Sequence, residues 1–362
     1  MSNFKKTYTL PFKFEIPNYI KEFLNNRSLV ISWIKFSKRF LFIFFKGQKN
    51  LEVFSISPKH QSILWINISA SSYGDTLMDL SSRVLLKDRK LDLFITKKNV
   101  QLYTDDNIFN NVYSSESSID ATKYDLIIVD SFSTRSFNIK TKVASKTNFV
   151  SMFGFFNGPE VNRVLFSFHQ MNNLLGYKMS EGDINSCAKA SMSISKIDQD
   201  LVEKINLPNN YIAIVLGGEW GYRTYNDWDK VVAYILKVNS DINIVLLGSD
   251  NAKVISKKLF LQFANNNIFN HVAMYSFNQT AQIIKQADLV LCCDGGLMHT
   301  ANIFNKTVIP LFARLSPKMQ LTDCINAFPL FDKDDVNNIS VEAILEKYHE
   351  AVSFFDNHPQ GE

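Results

Sequence analysis

Asp288 to Ala301 reads Asp-Leu-Val-Leu-Cys-Cys-Asp-Gly-Gly-Leu-Met-His-Thr-Ala. Leu289 to Cys293 is an unbroken apolar run, the pattern of a strand covered on both faces in a parallel sheet. It stops at a carboxylate and two glycines, and helix-forming residues follow. In an open α/β sheet this is the carboxyl end of a strand, where ligands bind and the next helix offers free backbone N–H groups. There Asp294 points into a crevice, Gly295 and Gly296 let a ligand approach the backbone, and His299 falls on the first helical turn. The same residues also suit a tight turn with Asp294 as helix cap. His299 is equally a satisfied core histidine or a donor to phosphate.

The pattern recurs. Strands are predicted at Ile63–Ser69, Leu91–Thr96 and Tyr124–Ser131, with a loop at 71–75 leading into a helix over about 76–87. Residues 132–165 show no readable period, and 180–195, rich in serine, read as a linker. The alternation restarts with strands at Tyr211–Leu216, Asn243–Leu247, Leu289–Cys293 and Thr307–Phe312. Helices are predicted at Trp228–Val238, after Asp250 to about Ala264, at Thr280–Ala287 and at Val341–Phe355. Repeated strand-helix units imply two parallel-sheet domains, 61–200 and 201–362, behind a lead of residues 1–60. Their carboxyl ends are expected to face a shared cleft.

A length of 362 residues with 46% hydrophobic content fills two cores. The net charge of +4 is uneven: residues 1–60 carry eleven Lys or Arg against three Glu, +8, which leaves −4 for the rest. A basic lead on a near-neutral body does not point to nucleic acid. Four cysteines, two of them adjacent, make neither a disulfide framework nor a metal-ligand spacing, which suits a reducing cytoplasm and no metal. No stretch approaches the roughly 20 apolar residues of a membrane span, and the N-terminus lacks a signal-peptide pattern. A cytoplasmic protein, soluble or peripheral, is expected.

Residues 29–49 fit a basic amphipathic helix, with Lys35, Lys38, Arg39, Lys46 and Lys49 on one side and Trp33, Phe36, Phe40 and Phe44 on the other. Such a helix either lies on an anionic membrane surface or packs its apolar face on its own domain. Phe42 and Gly47 favour packing.

Two further loops carry chemistry. Gly74-Asp75 follows the first strand, where Asp75 suits a general base or a helix N-cap. Gly217-Gly218-Glu219-Trp220-Gly221-Tyr222-Arg223 is a glycine-rich bend with a guanidinium at its far side. Arg223 fits a phosphate, or it is a solvated surface cation. No Gly-Lys-Ser/Thr and no Gly-x-Gly-x-x-Gly appears, which disfavours a Walker loop and a dinucleotide oxidoreductase.

Asp294-Gly295-Gly296-Leu297-Met298-His299 resembles the Asp-Thr/Ser-Gly-x-x-His signature of glycosyltransferase family 9, the lipopolysaccharide heptosyltransferases. Ser72-Tyr73-Gly74-Asp75-Thr76-Leu77 looks like that family's Gly-Asp loop, and Gly217 to Trp228 looks like its phosphate loop. The resemblance implies a GT-B fold of two Rossmann-like domains, the first holding acceptor and the second an ADP-sugar. It implies Asp75 as catalytic base, Arg223 against diphosphate, Asp294 on sugar hydroxyls, and Gly218, Glu219, Gly295, Gly296 and His299 around the donor. The implied activity is inverting transfer without metal or cofactor, of heptose from ADP-heptose onto a lipopolysaccharide or lipooligosaccharide inner core. A lipid-linked acceptor would place residues 29–49 on the inner leaflet. Alternatives are a relative using another nucleotide sugar or a protein acceptor, and a silent binding module. The chain differs from the family at Gly295, where a small hydroxyl residue is usual, at Gly218-Glu219, and at Ala313-Arg314, where a glycine-rich bend is missing and Arg314 offers another phosphate contact.

Overall fold

The computed structural model describes residues 29–70, 72–155, 162–264, 267–322 and 326–357. The first 28 residues of the lead and Ser71 of the first loop lie outside the described residues. The chain divides into two compact units, Met1–Ser193 and Ile194–Glu362, ahead of the expected change at residue 200.

The first unit holds a five-stranded parallel sheet, β1 (Ser62–Asn67), β2 (Lys90–Ile95), β3 (Asn111–Tyr113), β4 (Leu126–Val129) and β5 (Phe149–Ser151), in the order β3-β2-β1-β4-β5. Its helices are α1 (Leu29–Phe45), α2 (Tyr73–Asp79), α3 (Thr134–Val143), α4 (Arg163–Leu174) and α5 (Glu181–Cys187). Successive side chains of β1 alternate between faces. Leu64 and Ile66 therefore pack with Ile127, Val129, Phe137 and Phe149, while Ile63 and Trp65 are buried on the other side. Three expectations change. The helix over 76–87 is a short α2 that begins at Tyr73 and gives way to a 3-10 turn, Ser81–Leu86. The linker at 180–195 contains α5, started by a Ser180–Asp183 capping box that an amphipathic-period search over so few residues does not find. The unreadable 132–165 stretch holds α3 and β5, elements too short to show a period.

The lead helix ends at Phe45, so Lys49 falls in the following 3-10 turn rather than on the helix. The Phe36 ring packs tilted against that of Phe155 with centroids 4.5 Å apart, Arg39 Nη1 donates to the Phe155 carbonyl at 3.2 Å, and Ile43 enters the core. Beyond the helix the chain runs along the sheet edge, where Val53 N–H donates to the Phe149 carbonyl at 2.8 Å. Gln48 is buried there and accepts from Nζ of Lys140, a fully buried lysine of α3 whose ammonium sits 5.2 Å from the Phe149 ring centroid.

The second unit holds six parallel strands, β6 (Ile212–Leu216), β7 (Ile244–Gly248), β8 (Ile268–Asn270), β9 (Leu289–Cys293), β10 (Thr307–Ala313) and β11 (Leu330–Asp332), ordered β11-β10-β9-β6-β7-β8. Among the described residues the α-helices accompanying them are α6 (Lys196–Glu203), α7 (Trp228–Val238), α8 (Lys253–Gln262), α9 (Phe277–Gln286), α10 (Gly296–Ile303), α11 (Pro317–Gln320) and α12 (Val341–Asn357). Both faces are covered, so β6 and β9 are apolar at every position. Leu291 and Cys293 face the cluster with Trp228 and Ile344, while Val290 and Cys292 face that with Ile283 and Met298. The two adjacent thiols thus point to opposite layers, both raised by burial in apolar surroundings.

Candidate active site

In both units the chain builds outward from one strand, crosses back, and continues on the other side. In the second unit this switch lies between β6 and β9, and in the first between β1 and β4. At such a point the loops leaving two neighbouring strands diverge to opposite faces and open a crevice at their carboxyl ends. The Gly217–Arg223 bend follows β6 and the Asp294–His299 turn follows β9, so the sheet order itself brings these two motifs together.

Their contact is direct. Arg223 Nη1 lies 3.2 Å from Asp294 Oδ2, and the Asp294 side chain is only 3% exposed. The Arg223 Nε is buried and meets no hydrogen-bond acceptor among the described residues. A guanidinium has five donors in a fixed fork, so one edge can hold a carboxylate while another faces a second anion. The loop that aims it is tightly packed. A Cβ at Gly218 would lie 2.4 Å from the Arg223 carbonyl oxygen, and Gly217 has φ +82°, a conformation glycine adopts without steric cost. Asn251, just past the Gly248-Ser249-Asp250 bend, donates to the Gly218 carbonyl and fixes the loop from β7. Glu219 and Trp220 are exposed.

Across the crevice α10 begins at Gly296 with Gly295 as its N-cap and no side-chain cap, so its first N–H groups are not held by a capping oxygen. Gly295 is extended, and a Cβ there would come no closer than 4.0 Å to the Cys293 carbonyl oxygen. A hydroxyl residue therefore fits in this position. His299 is buried at 4% exposure, and its backbone N–H donates to the Gly295 carbonyl at 3.3 Å. Arg314, just past β10, has φ +67°, with its guanidinium 3.7 Å from the centroid of the Tyr222 ring and its Nε donating to the Asp334 carbonyl. The Arg223 guanidinium lies 5.5 Å from the same ring. The two cations thus share Tyr222, an aromatic spacer that spacing rules alone do not single out.

In the first unit Asp75 is half-buried on the first turn of α2. It does not cap the helix. Ser72 does, accepting from the Asp75 N–H at 3.1 Å, which leaves the Asp75 carboxylate for other work. One turn on, Asp79 is fully buried and doubly hydrogen-bonded by Arg163. Burial pushes the Asp79 carboxyl up to about 6, with Arg163 working against it and Asp75 and Asp130 adding to it. Asp130, at the end of β4, accepts from the Ile68 and Ser69 N–H groups at 2.8 and 2.6 Å and so clamps the loop leaving β1. The sequence shows Asp130 only as the last acidic residue of an apolar strand.

A family model described as glycosyltransferase family 9 (heptosyltransferase) matches residues 156–334. This span is a glycosyltransferase family 9 domain. The matched span contains every second-unit candidate residue, while Asp75 lies outside it. Solved structures agree in fold. A family 9 glycosyltransferase of Veillonella parvula superposes with a TM-score of 0.68 at 12% identity, covering 81% of this chain and 97% of that one. The ADP-heptose lipopolysaccharide heptosyltransferase II of E. coli gives 0.67 at 14%, covering 82% and 99%. The E. coli heptosyltransferase WaaC, solved with ADP, gives 0.61 at 16%, covering 80% and 99%. No curated protein sequence matches the chain. The chain is thus a glycosyltransferase built from two parallel-sheet α/β units of GT-B type, as the motifs predict.

Proposed function

We propose that this glycosyltransferase moves a heptose from ADP-heptose to the inner core of a lipopolysaccharide or lipooligosaccharide precursor, with inversion. The observation that carries the proposal is the Arg223–Asp294 pair at the switch point of the second sheet, beside the N-terminus of α10. A nucleotide sugar needs a cation and free N–H groups for its diphosphate and an acceptor of hydroxyl hydrogen bonds for its sugar, and these groups supply all three. E. coli WaaC has also been solved with ADP-2-deoxy-2-fluoro heptose, and that likeness supports this donor.

In the proposed step the Asp75 carboxylate takes the proton of an acceptor hydroxyl. The acceptor oxygen bonds to the anomeric carbon as the bond from that carbon to the β-phosphate oxygen breaks, and the electron pair leaves on ADP. Arg223 and the N–H groups of α10 hold the charge that develops on the diphosphate, so the chemistry proceeds on the chain's own cations. Gly218 and Glu219 lie beside this diphosphate site, and Gly295, Gly296 and His299 complete it. An inner-core acceptor is amphiphilic, which assigns the enzyme to the cytoplasmic face of the inner membrane. Purified protein offered ADP-heptose alongside UDP-, GDP- and CMP-sugars tests this, read as donor hydrolysis or transfer. Turnover of ADP-heptose is expected, and absence of binding to any nucleotide sugar at millimolar concentration overturns it.

A further inference from the structure

Helix α1 is arranged in three sectors rather than two. Phe36, Phe40, Arg39 and Ile43 form the side that packs on the first unit, through the Phe155 ring, the Phe155 carbonyl and the core. Trp33 and Phe44, expected to share that side, instead stand in solvent. With Val30, Ile34, Leu41 and Phe45 they make a continuous exposed apolar sector, Trp33 being 55% and Phe45 79% exposed. Exposed Lys38 adjoins one edge of it, exposed Lys35 lies further round the helix beyond exposed Ile31, and exposed Lys46 follows the C-terminal turn. Contiguous exposed apolar surface of this kind marks an interaction site.

We infer that α1 docks in the plane of an anionic lipid surface, with its Trp33–Phe45 sector inserted among the acyl chains and Lys35, Lys38 and Lys46 on the headgroups. Charge complementarity selects this occupant. Neither the apolar sector nor its flank carries an acidic residue and the only charges on the flank are basic, which suits phosphate headgroups and opposes a second copy bringing the same lysines. Lysine stems reach along apolar surface while their ammonium groups stay in the headgroup layer. No described helix is long and apolar enough to cross a membrane, so α1 lies along it. The choice of lipid over other anionic surfaces rests on the amphiphilic acceptor proposed above.

The test is co-sedimentation of the full chain with vesicles of phosphatidylcholine alone or mixed three to one with phosphatidylglycerol. Binding to the mixed vesicles only is expected. Changing Lys35, Lys38 and Lys46 together to Ala weakens it on the order of 100-fold, since each basic residue contributes about a factor of five near an anionic surface. Trp33→Ser with Phe44→Ser abolishes it while circular dichroism stays unchanged, both side chains being exposed. A vesicle-induced blue shift of tryptophan fluorescence, lost in Trp33→Phe, reports insertion. Equal pelleting of all variants, or none by the wild type, overturns the inference. So does dimerisation by light scattering that Trp33→Ser removes in the absence of vesicle binding. The donor panel runs without vesicles, so failure there is separate from failure here.

Discussion

Arg223 Nη1 and Asp294 Oδ2 sit 3.2 Å apart at the carboxyl ends of two neighbouring strands that are far apart in sequence. The pair is largely withdrawn from water, so removing one partner leaves the other charge uncompensated. Arg223→Ala is expected to lower stability by about 3 kcal/mol in urea unfolding. The change combined with Asp294→Ala costs less than the sum of the two, as a double-mutant cycle measures. ADP affinity falls at least tenfold by calorimetry, because the free edge of the guanidinium is lost.

Asp75→Asn keeps the size and the Ser72 cap of α2 but cannot accept a proton. Transfer is expected to fall by roughly 10²- to 10⁴-fold, the usual contribution of a positioned base. ADP binding by calorimetry remains unchanged, and retained turnover removes Asp75 from the base role.

Gly218 and Gly295 respond oppositely to a side chain. Gly218→Ala drives a Cβ into the Arg223 carbonyl oxygen, which is backbone and cannot swing aside, so donor binding and thermal stability both drop. Gly295→Ser meets open space and is expected to fold normally, with melting temperature within about 2 °C of wild type, since substitutions that clash with nothing stay within about 0.5 kcal/mol. Its added hydroxyl changes donor KM rather than stability.

Burial lowers the Lys140 ammonium to about 8. An unfolded lysine titrates near ~10.4, so between these values the unfolded chain binds more protons than the folded one. Stability attributable to Lys140 therefore rises as pH climbs through that window. Unfolding free energies compared between wild type and Lys140→Met across about pH 7 to 10 are expected to show this slope in the wild type and its loss in the variant.

Much of this was legible beforehand because two-sided burial leaves a mark. The runs Leu289–Cys293 and Tyr211–Leu216 can only be inner strands, and a carboxylate or glycines at their ends reveal the loops. Short edge strands such as β3, β8 and β11 left no such mark, being only three residues long and partly exposed. The Arg223 and Asp294 motifs were readable separately, but their adjacency depends on β9 returning beside β6, a crossover that local pattern does not encode. Asp130 escaped notice because its work is done on the N–H groups of a distant loop. That α1 presents three sectors is not legible in the sequence, because a helical wheel shows where apolar groups lie and not which of them find a neighbour.

The Gln48–Lys140 hydrogen bond gives the lead a mechanical meaning. Because it is buried, and the chain beyond Gln48 hydrogen-bonds to the edge of β5, α1 is bolted to the first unit rather than tethered to it. Cutting the chain at residue 50 would expose a bare ammonium in the core, so point changes on the outer sector are the cleaner probe. A docked, rigidly mounted helix would also fix which way the first sheet faces above a bilayer. The search for an acceptor would then shrink from tumbling in three dimensions to gliding and turning about a single axis.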